Sequence, residues 1–152
     1  AMKQASLSTP FGDLTLTEED GAITALGWGQ AARQDRSDLL DAALRQLKEY
    51  ATGERQSFDL PLRVMGSDFQ RAVCTAILAI PFGHTRTYGE IARDLGVPAQ
   101  AVGGACGGNP IPVIVPCHRV MGAKGLTGFS GAGGVETKVA LLRHEGAAGL
   151  LI

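Results

Sequence analysis

The feature that most constrains this chain is Ile111-Pro112-Val113-Ile114-Val115-Pro116-Cys117-His118-Arg119-Val120. An apolar, β-branched run predicts a buried strand. Pro116 lacks a backbone donor and pushes Val115 into extended conformation, so the strand should stop there. Cys117 then stands in a turn at the strand end, with an imidazole and a guanidinium next in the chain. A free cysteine often packs as a small hydrophobe. A reactive cysteine needs its thiolate, which a nearby base or positive charge favours. The Pro-Cys-His-Arg setting favours the second reading.

The 152 residues suffice for one domain or two small lobes. Charged residues are 19% and hydrophobic ones 45%, a globular rather than a disordered composition. No apolar run approaches a membrane span, and the residues after Met2 do not read as a signal peptide. Cys74, Cys106 and Cys117 are odd in number and widely spaced, which indicates neither a disulfide framework nor a zinc site. A reducing, cytoplasmic compartment is expected. Residues 1–66 carry 7 Lys+Arg against 10 Asp+Glu, and residues 67–152 carry 7 against 5. A polyanion should therefore meet the second half.

Residues 5–28 read as strands around an Asp20-Gly21 hairpin turn. Ser37 caps a helix over roughly 38–52 whose apolar face holds Leu40, Ala43, Leu44, Leu47, Tyr50 and Ala51. Phe58 to Val64 reads as an edge strand, given Pro61. Nothing in residues 1–66 converges chemically, so this part reads as a scaffold lobe.

Ser67 and Gln70 form a capping box ahead of a helix running to Pro81 with Phe69, Val73, Ala76, Ile77 and Ile80 inward. Thr87 and Glu90 form a second box, opening a short helix that Gly96 ends. Pro98 starts the next segment, 99–108, which ends at Asn109-Pro110. Two short helices joined by a glycine turn make a helix-turn-helix pattern. The second has no charge, little bulk and four glycines, each costing about 1 kcal/mol of helix stability. Either it packs tightly on its own core or a partner's backbone comes very close. Only Gln100 there could read a base edge, so a shallow, sequence-indifferent approach to DNA fits better than major-groove reading. The glycine-dense stretch 126–134 reads as a ligand wall, with a flexible linker as the alternative. A last helix runs from about Val135 to Glu145, with Gly146 as its stop. Glu145 is either a solvated charge or a carboxylate that orients an imidazole. His84 and Arg86 read as solvated loop residues, with phosphate contact as the alternative.

Cys117, His118 and Glu145 can form a nucleophile, base and orienter. Because Cys117 and His118 are chain neighbours, a bridging water would carry the thiol proton. Acyl transfer by a cysteine hydrolase and attack on an alkyl carbon both fit that set.

The motifs Pro81-Phe82-Gly83, Thr87-Tyr88-Gly89-Glu90-Ile91-Ala92, Ala101-Val102-Gly103-Gly104-Ala105, Asn109-Pro110, Pro116-Cys117-His118-Arg119-Val120 and Leu141-Leu142-Arg143-His144-Glu145-Gly146 occur in that order. Together they resemble the O6-alkylguanine-DNA alkyltransferases, closely from Ser67 to Gly146 and loosely before that. The resemblance implies an α/β fold with a small N-terminal sheet and helix lobe (1–66). A mostly helical lobe with the helix-turn-helix would follow (67–152). It implies a monomer that enters the minor groove of double-stranded DNA and flips an alkylated base. One alkyl group would pass irreversibly from O6-alkylguanine, and potentially O4-alkylthymine, to Cys117. His118 would act through water and Glu145 would orient it. Tyr88 would assist base rotation and protonate the leaving guanine. Gln100, Ala101 and Gly103 would lie at the DNA, Asn109 would support the segment leading to Cys117, and Val120, Phe129 and Ser130 would line the base pocket. No cofactor and no metal is implied. Two departures from the family pattern stand out. Gln100 replaces a usual arginine, and Gly107 sits where some relatives carry a basic residue, which predicts weaker DNA affinity. Val139-Ala140 replaces a larger, partly aromatic pair of many relatives, which bears on packing of the last helix more than on chemistry. The alternatives are a lesion-binding module without transfer, against which Cys117 argues, and the cysteine hydrolase, which would turn over.

Overall fold

The computed structural model describes residues 2–123 and 134–149. Three antiparallel strands come first: β1 (Met2–Thr9), β2 (Gly12–Glu19) and β3 (Ala22–Trp28), in the order β1-β2-β3. The β2–β3 turn uses Asp20 and Gly21 at φ 47° and 79°, the left-handed pair that a tight hairpin requires. Leu14 and Leu16 of β2 and Ile23 and Leu26 of β3 enter the core. Helix α1 (Asp38–Ala51) covers β1 and β2. Ser37 Oγ accepts from the Leu40 amide at 3.0 Å, as a serine cap should. Leu40, Ala43, Leu47 and Tyr50 form the buried stripe.

The expected strand over 58–64 shrinks to one bridge between Ile23 and Leu62. Ile23 donates to Pro61 O at 2.8 Å, and Arg63 donates to Ile23 O at 2.9 Å. Pro61 offers a carbonyl and no amide, so the ladder cannot lengthen. The Gln46 side chain takes over, pairing with both the amide and the carbonyl of Asp59 at 2.9 and 3.1 Å.

Helix α2 (Asp68–Leu78) starts at Ser67, whose hydroxyl accepts from the Gln70 amide at 3.0 Å. The expected reciprocal bond of the box is not made. Gln70 Nε2 instead donates to Ala105 O at 2.7 Å, tying α2 to the next layer. The two-residue strand β4 (Arg86–Thr87) leads into α3 (Tyr88–Leu95). Here the box is complete, with Glu90 N to Thr87 Oγ1 at 3.1 Å and Thr87 N to Glu90 Oε1 at 2.8 Å. Gly96 at φ 69° turns the chain, and α4 (Ala99–Gly107) packs on α3 and α2.

The run at 111–115 is a correction. It forms a tight turn, with Val115 N donating to Ile111 O at 2.8 Å and Val113 at φ 72°. Ile111, Val113, Ile114 and Val115 are all buried. An apolar run enclosed on every side carries no period that separates a strand from another buried form. One turn of 3-10 helix, Cys117–Arg119, follows, and β5 (Val120–Met121) pairs in parallel with β4. Helix α5 (Val135–His144) is capped by Glu145, and Gly146 at φ 66° turns the chain away. One hydrophobic cluster joins both halves, from Ala5 and Leu16 through Tyr50, Ile77 and Val115 to Leu141.

Candidate active site

The buried turn delivers Cys117 to the base of α4. Asn109 braces it from inside: its Nδ2 donates to Val115 O at 2.9 Å, and its Oδ1 accepts from the Ile111 amide at 3.0 Å. A side chain that serves as both donor and acceptor replaces the ladder partners that the run lacks. Cys117 N donates to Val115 O at 2.7 Å, and the residue is 3% exposed. Burial pushes its thiol up to about 11, while a hydrogen bond with Asn109 and the charge of Lys138 oppose that rise. The resting residue is therefore a thiol, and its chemistry needs a base.

His118 and Glu145 supply one. His118 Nε2 lies 2.7 Å from Glu145 Oε2, with both side chains fully buried. Burial favours the uncharged imidazole and holds its pKa below the usual value. Burial would raise the Glu145 carboxyl, but the hydrogen bonds of His118 and Arg119 hold it down to about 2. An ionised Glu145 accepts, so Nε2 carries the proton and Nδ1 keeps a lone pair. Nδ1 is buried and meets no hydrogen-bond partner among the described residues. That atom is where a neutral imidazole accepts a proton.

Arg119 turns the other way. Its Nε and Nη2 donate to Glu145 Oε1 and Oε2 at 2.8 and 3.1 Å, and Nη1 donates to Ile80 O at 2.6 Å. Lys138, fully buried on α5, donates to Val120 O at 2.6 Å and sits 5.8 Å from the Tyr88 ring centre. Burial holds the ammonium below its usual pKa, opposed by the fields of Cys117 and Cys106.

The match to known proteins extends over both halves. Residues 68–147 match the model described as 6-O-methylguanine DNA methyltransferase, DNA binding domain, and residues 2–64 match its ribonuclease-like domain. A methylated-DNA--protein-cysteine methyltransferase from Methanosarcina barkeri is 50% identical over 150 residues, covering 91% of this chain and 94% of that protein. One from Mycolicibacterium paratuberculosis is 43% identical over 155 residues, covering 92% and 90%. This chain belongs to the 6-O-methylguanine DNA methyltransferase family. Its fold follows the crystal structure of the Mycobacterium tuberculosis O6-methylguanine methyltransferase at TM-score 0.84 and 40% identity, covering 96% and 93% of the two chains. The same TM-score, at 42% identity over 95% and 92%, relates it to the M. tuberculosis OGT in complex with DNA.

Within this methyltransferase fold the expected residues that the structure describes divide into three groups. Cys117, His118, Glu145, Asn109 and Val120 meet in the buried centre. Tyr88 opens α3 beside Lys138. Gln100 is exposed and Ala101 and Gly103 are partly exposed on α4. Phe129 and Ser130 lie outside the described residues. Among the described residues no group of three His, Cys, Asp or Glu side chains could hold a metal ion.

Three further side chains reach the site. The sequence shows Arg119 only as a neighbouring charge. Lys138 shares the α5 stripe with Leu141, Leu142 and Glu145, and a lysine on an otherwise core-facing stripe was the available sign. Tyr50 reaches the site from residues 1–66, read as a scaffold lobe: its hydroxyl donates to Glu145 Oε2 at 2.6 Å. Nothing in the sequence marks that contact, which joins residues 95 positions apart.

Proposed function

We propose that this protein repairs DNA by moving an alkyl group from O6-alkylguanine, with O4-alkylthymine as a further substrate, onto Cys117. The observation that carries this reading is the fully buried His118–Glu145 pair beside a protonated cysteine, with Nδ1 of His118 left as an acceptor. A water between the Cys117 thiol and Nδ1 passes the proton to His118, and ionised Glu145 stabilises the imidazolium. Cys117 Sγ bonds to the alkyl carbon as the carbon–O6 bond breaks. Tyr88 gives its hydroxyl proton to the leaving guanine. The product is a thioether that thiol exchange does not reverse, so each molecule acts once. No organic cofactor or metal enters the scheme.

The base must leave the duplex to be attacked. In this proposal α4 enters the minor groove. Gln100 occupies the gap in the stack, Ala101 and Gly103 face the backbone, and Val120, Phe129 and Ser130 line the base pocket. Three α4 glycines support a close approach. A Cβ at Gly103, Gly104 or Gly107 would meet nothing within 4 Å, so the protein's own packing does not require them. The protein acts as a monomer in a reducing, cytoplasmic setting, where its three unpaired cysteines remain thiols. No described helix is long and apolar enough to cross a membrane.

Intact mass after incubation with a duplex containing one O6-methylguanine tests the reading. The expected result is one added methyl per molecule, mapped to Cys117 and absent in Cys117→Ser. Lesion-selective binding without mass gain would indicate a binding module. Repeated product release without mass gain would indicate a hydrolase.

A further inference from the structure

Tyr50 belongs to α1, yet its hydroxyl ends on the same Glu145 oxygen that receives His118 Nε2. The residue is 1% exposed and held by its surroundings. Phe11, Phe58, Phe82 and His144 pack around the ring at centroid distances of 5.0–6.3 Å. His144 Nε2 lies 2.7 Å from the Tyr50 carbonyl oxygen. The hydroxyl therefore has a fixed aim.

A carboxylate buried against a single imidazole tends to draw a second proton onto the ring. An imidazolium cannot accept the proton from a thiol. Here Arg119 and Tyr50 share the carboxylate with His118, so its acceptor capacity is divided among three donors. We propose that Tyr50 is a positioning residue for alkyl transfer: its hydroxyl on Glu145 Oε2 keeps His118 neutral and Nδ1 free as the base. Among the described residues the charged and titratable groups facing this pair are Arg119 from the 3-10 turn and Lys138 and His144 from α5. The N-terminal half thus sets the basicity of a centre whose other groups all lie in the second half. The inference rests on the alkyl-transfer reading above.

The test is Tyr50→Phe, read as methyl-transfer rate against pH and, separately, as the ¹⁵N titration of His118 in the DNA-free protein. Loss of the hydroxyl should move the acid limb and the imidazole titration up by about one pH unit, a tenfold loss of rate below that limb. Transfer on the plateau should change by less than about threefold. Replacing Tyr50 with 3,5-difluorotyrosine, a stronger donor of nearly the same shape, should move both curves down, and it decides the matter alone if Tyr50→Phe fails to fold. Phe11→Leu disturbs the same aromatic cluster and should lower the melting temperature without moving either curve. Curves for Tyr50→Phe and the fluorinated protein that superimpose on wild type would overturn the proposal. A wild-type protein that transfers no methyl group would overturn the repair reading instead, and the imidazole titration would still decide Tyr50.

Discussion

Glu145 accepts four hydrogen bonds from Tyr50, His118 and Arg119 while fully buried. Its carboxyl falls from 4.5 to about 2 on folding. A depressed carboxyl contributes stability above its unfolded value, and that contribution is lost as pH falls through 4.5 toward about 2. Glu145→Gln strands the Arg119 cation and should cost roughly 3–5 kcal/mol near neutral pH. Denaturant titrations of the two proteins should converge as pH is lowered through that window. A constant gap would mean that the charge is not what matters. The Cys117 thiol, pushed up to about 11 by burial, makes a different prediction. Without DNA near pH 8, iodoacetamide should alkylate it at least about 100-fold more slowly than a free cysteine, whose pKa is near 8.5. Peptide mapping over time would check this, and rapid labelling would show a thiolate already formed at rest.

At the scale of elements, α4 sets stability against the proposed DNA contact. None of Gly103, Gly104 and Gly107 needs a left-handed backbone, and none has a neighbour where a methyl group would go. Gly104→Ala should therefore stabilise the protein by up to about 1 kcal/mol, a few degrees in Tm. The same methyl group would stand between α4 and a groove, so duplex affinity should fall. Gain in Tm with unchanged affinity would place the DNA elsewhere. Gln100 is exposed near the start of the same helix. Gln100→Arg should tighten duplex binding and steepen its salt dependence by about one counterion, readable by titration at several salt concentrations. No gain would mean that glutamine already serves this position as well as a cation does. The boundaries of α1, α3 and α4 were legible because Ser37, Thr87, Gly96 and the Asn109-Pro110 stop act through their immediate neighbours. The Ser67–Gln70 box was half legible. The amide of Gln70 obeyed the local rule, but its side chain found a carbonyl on α4.

At the scale of the molecule, one hydrophobic cluster of described residues runs through both halves. Tyr50, His144 and Glu145 add polar links between them. Far-ultraviolet and aromatic signals should therefore lose structure in one coincident transition. Two separated transitions would instead favour 1–66 and 67–152 as independently stable lobes. The sequence by itself determined the helix starts, the stops of α1, α3 and α4, the α4 composition and the Cys117-His118-Arg119 adjacency that pointed to the chemistry, whereas α2 stops at Leu78, short of the expected Pro81. These depend on caps, turns and covalent order, which act over a few residues. Only the tertiary structure decided that 111–115 turns rather than extends, because burial on every side erases periodicity. It alone brought Tyr50 onto Glu145 and Lys138 onto Val120. Each of those contacts joins residues far apart in the chain, and a side chain's partner across such a distance is chosen by packing.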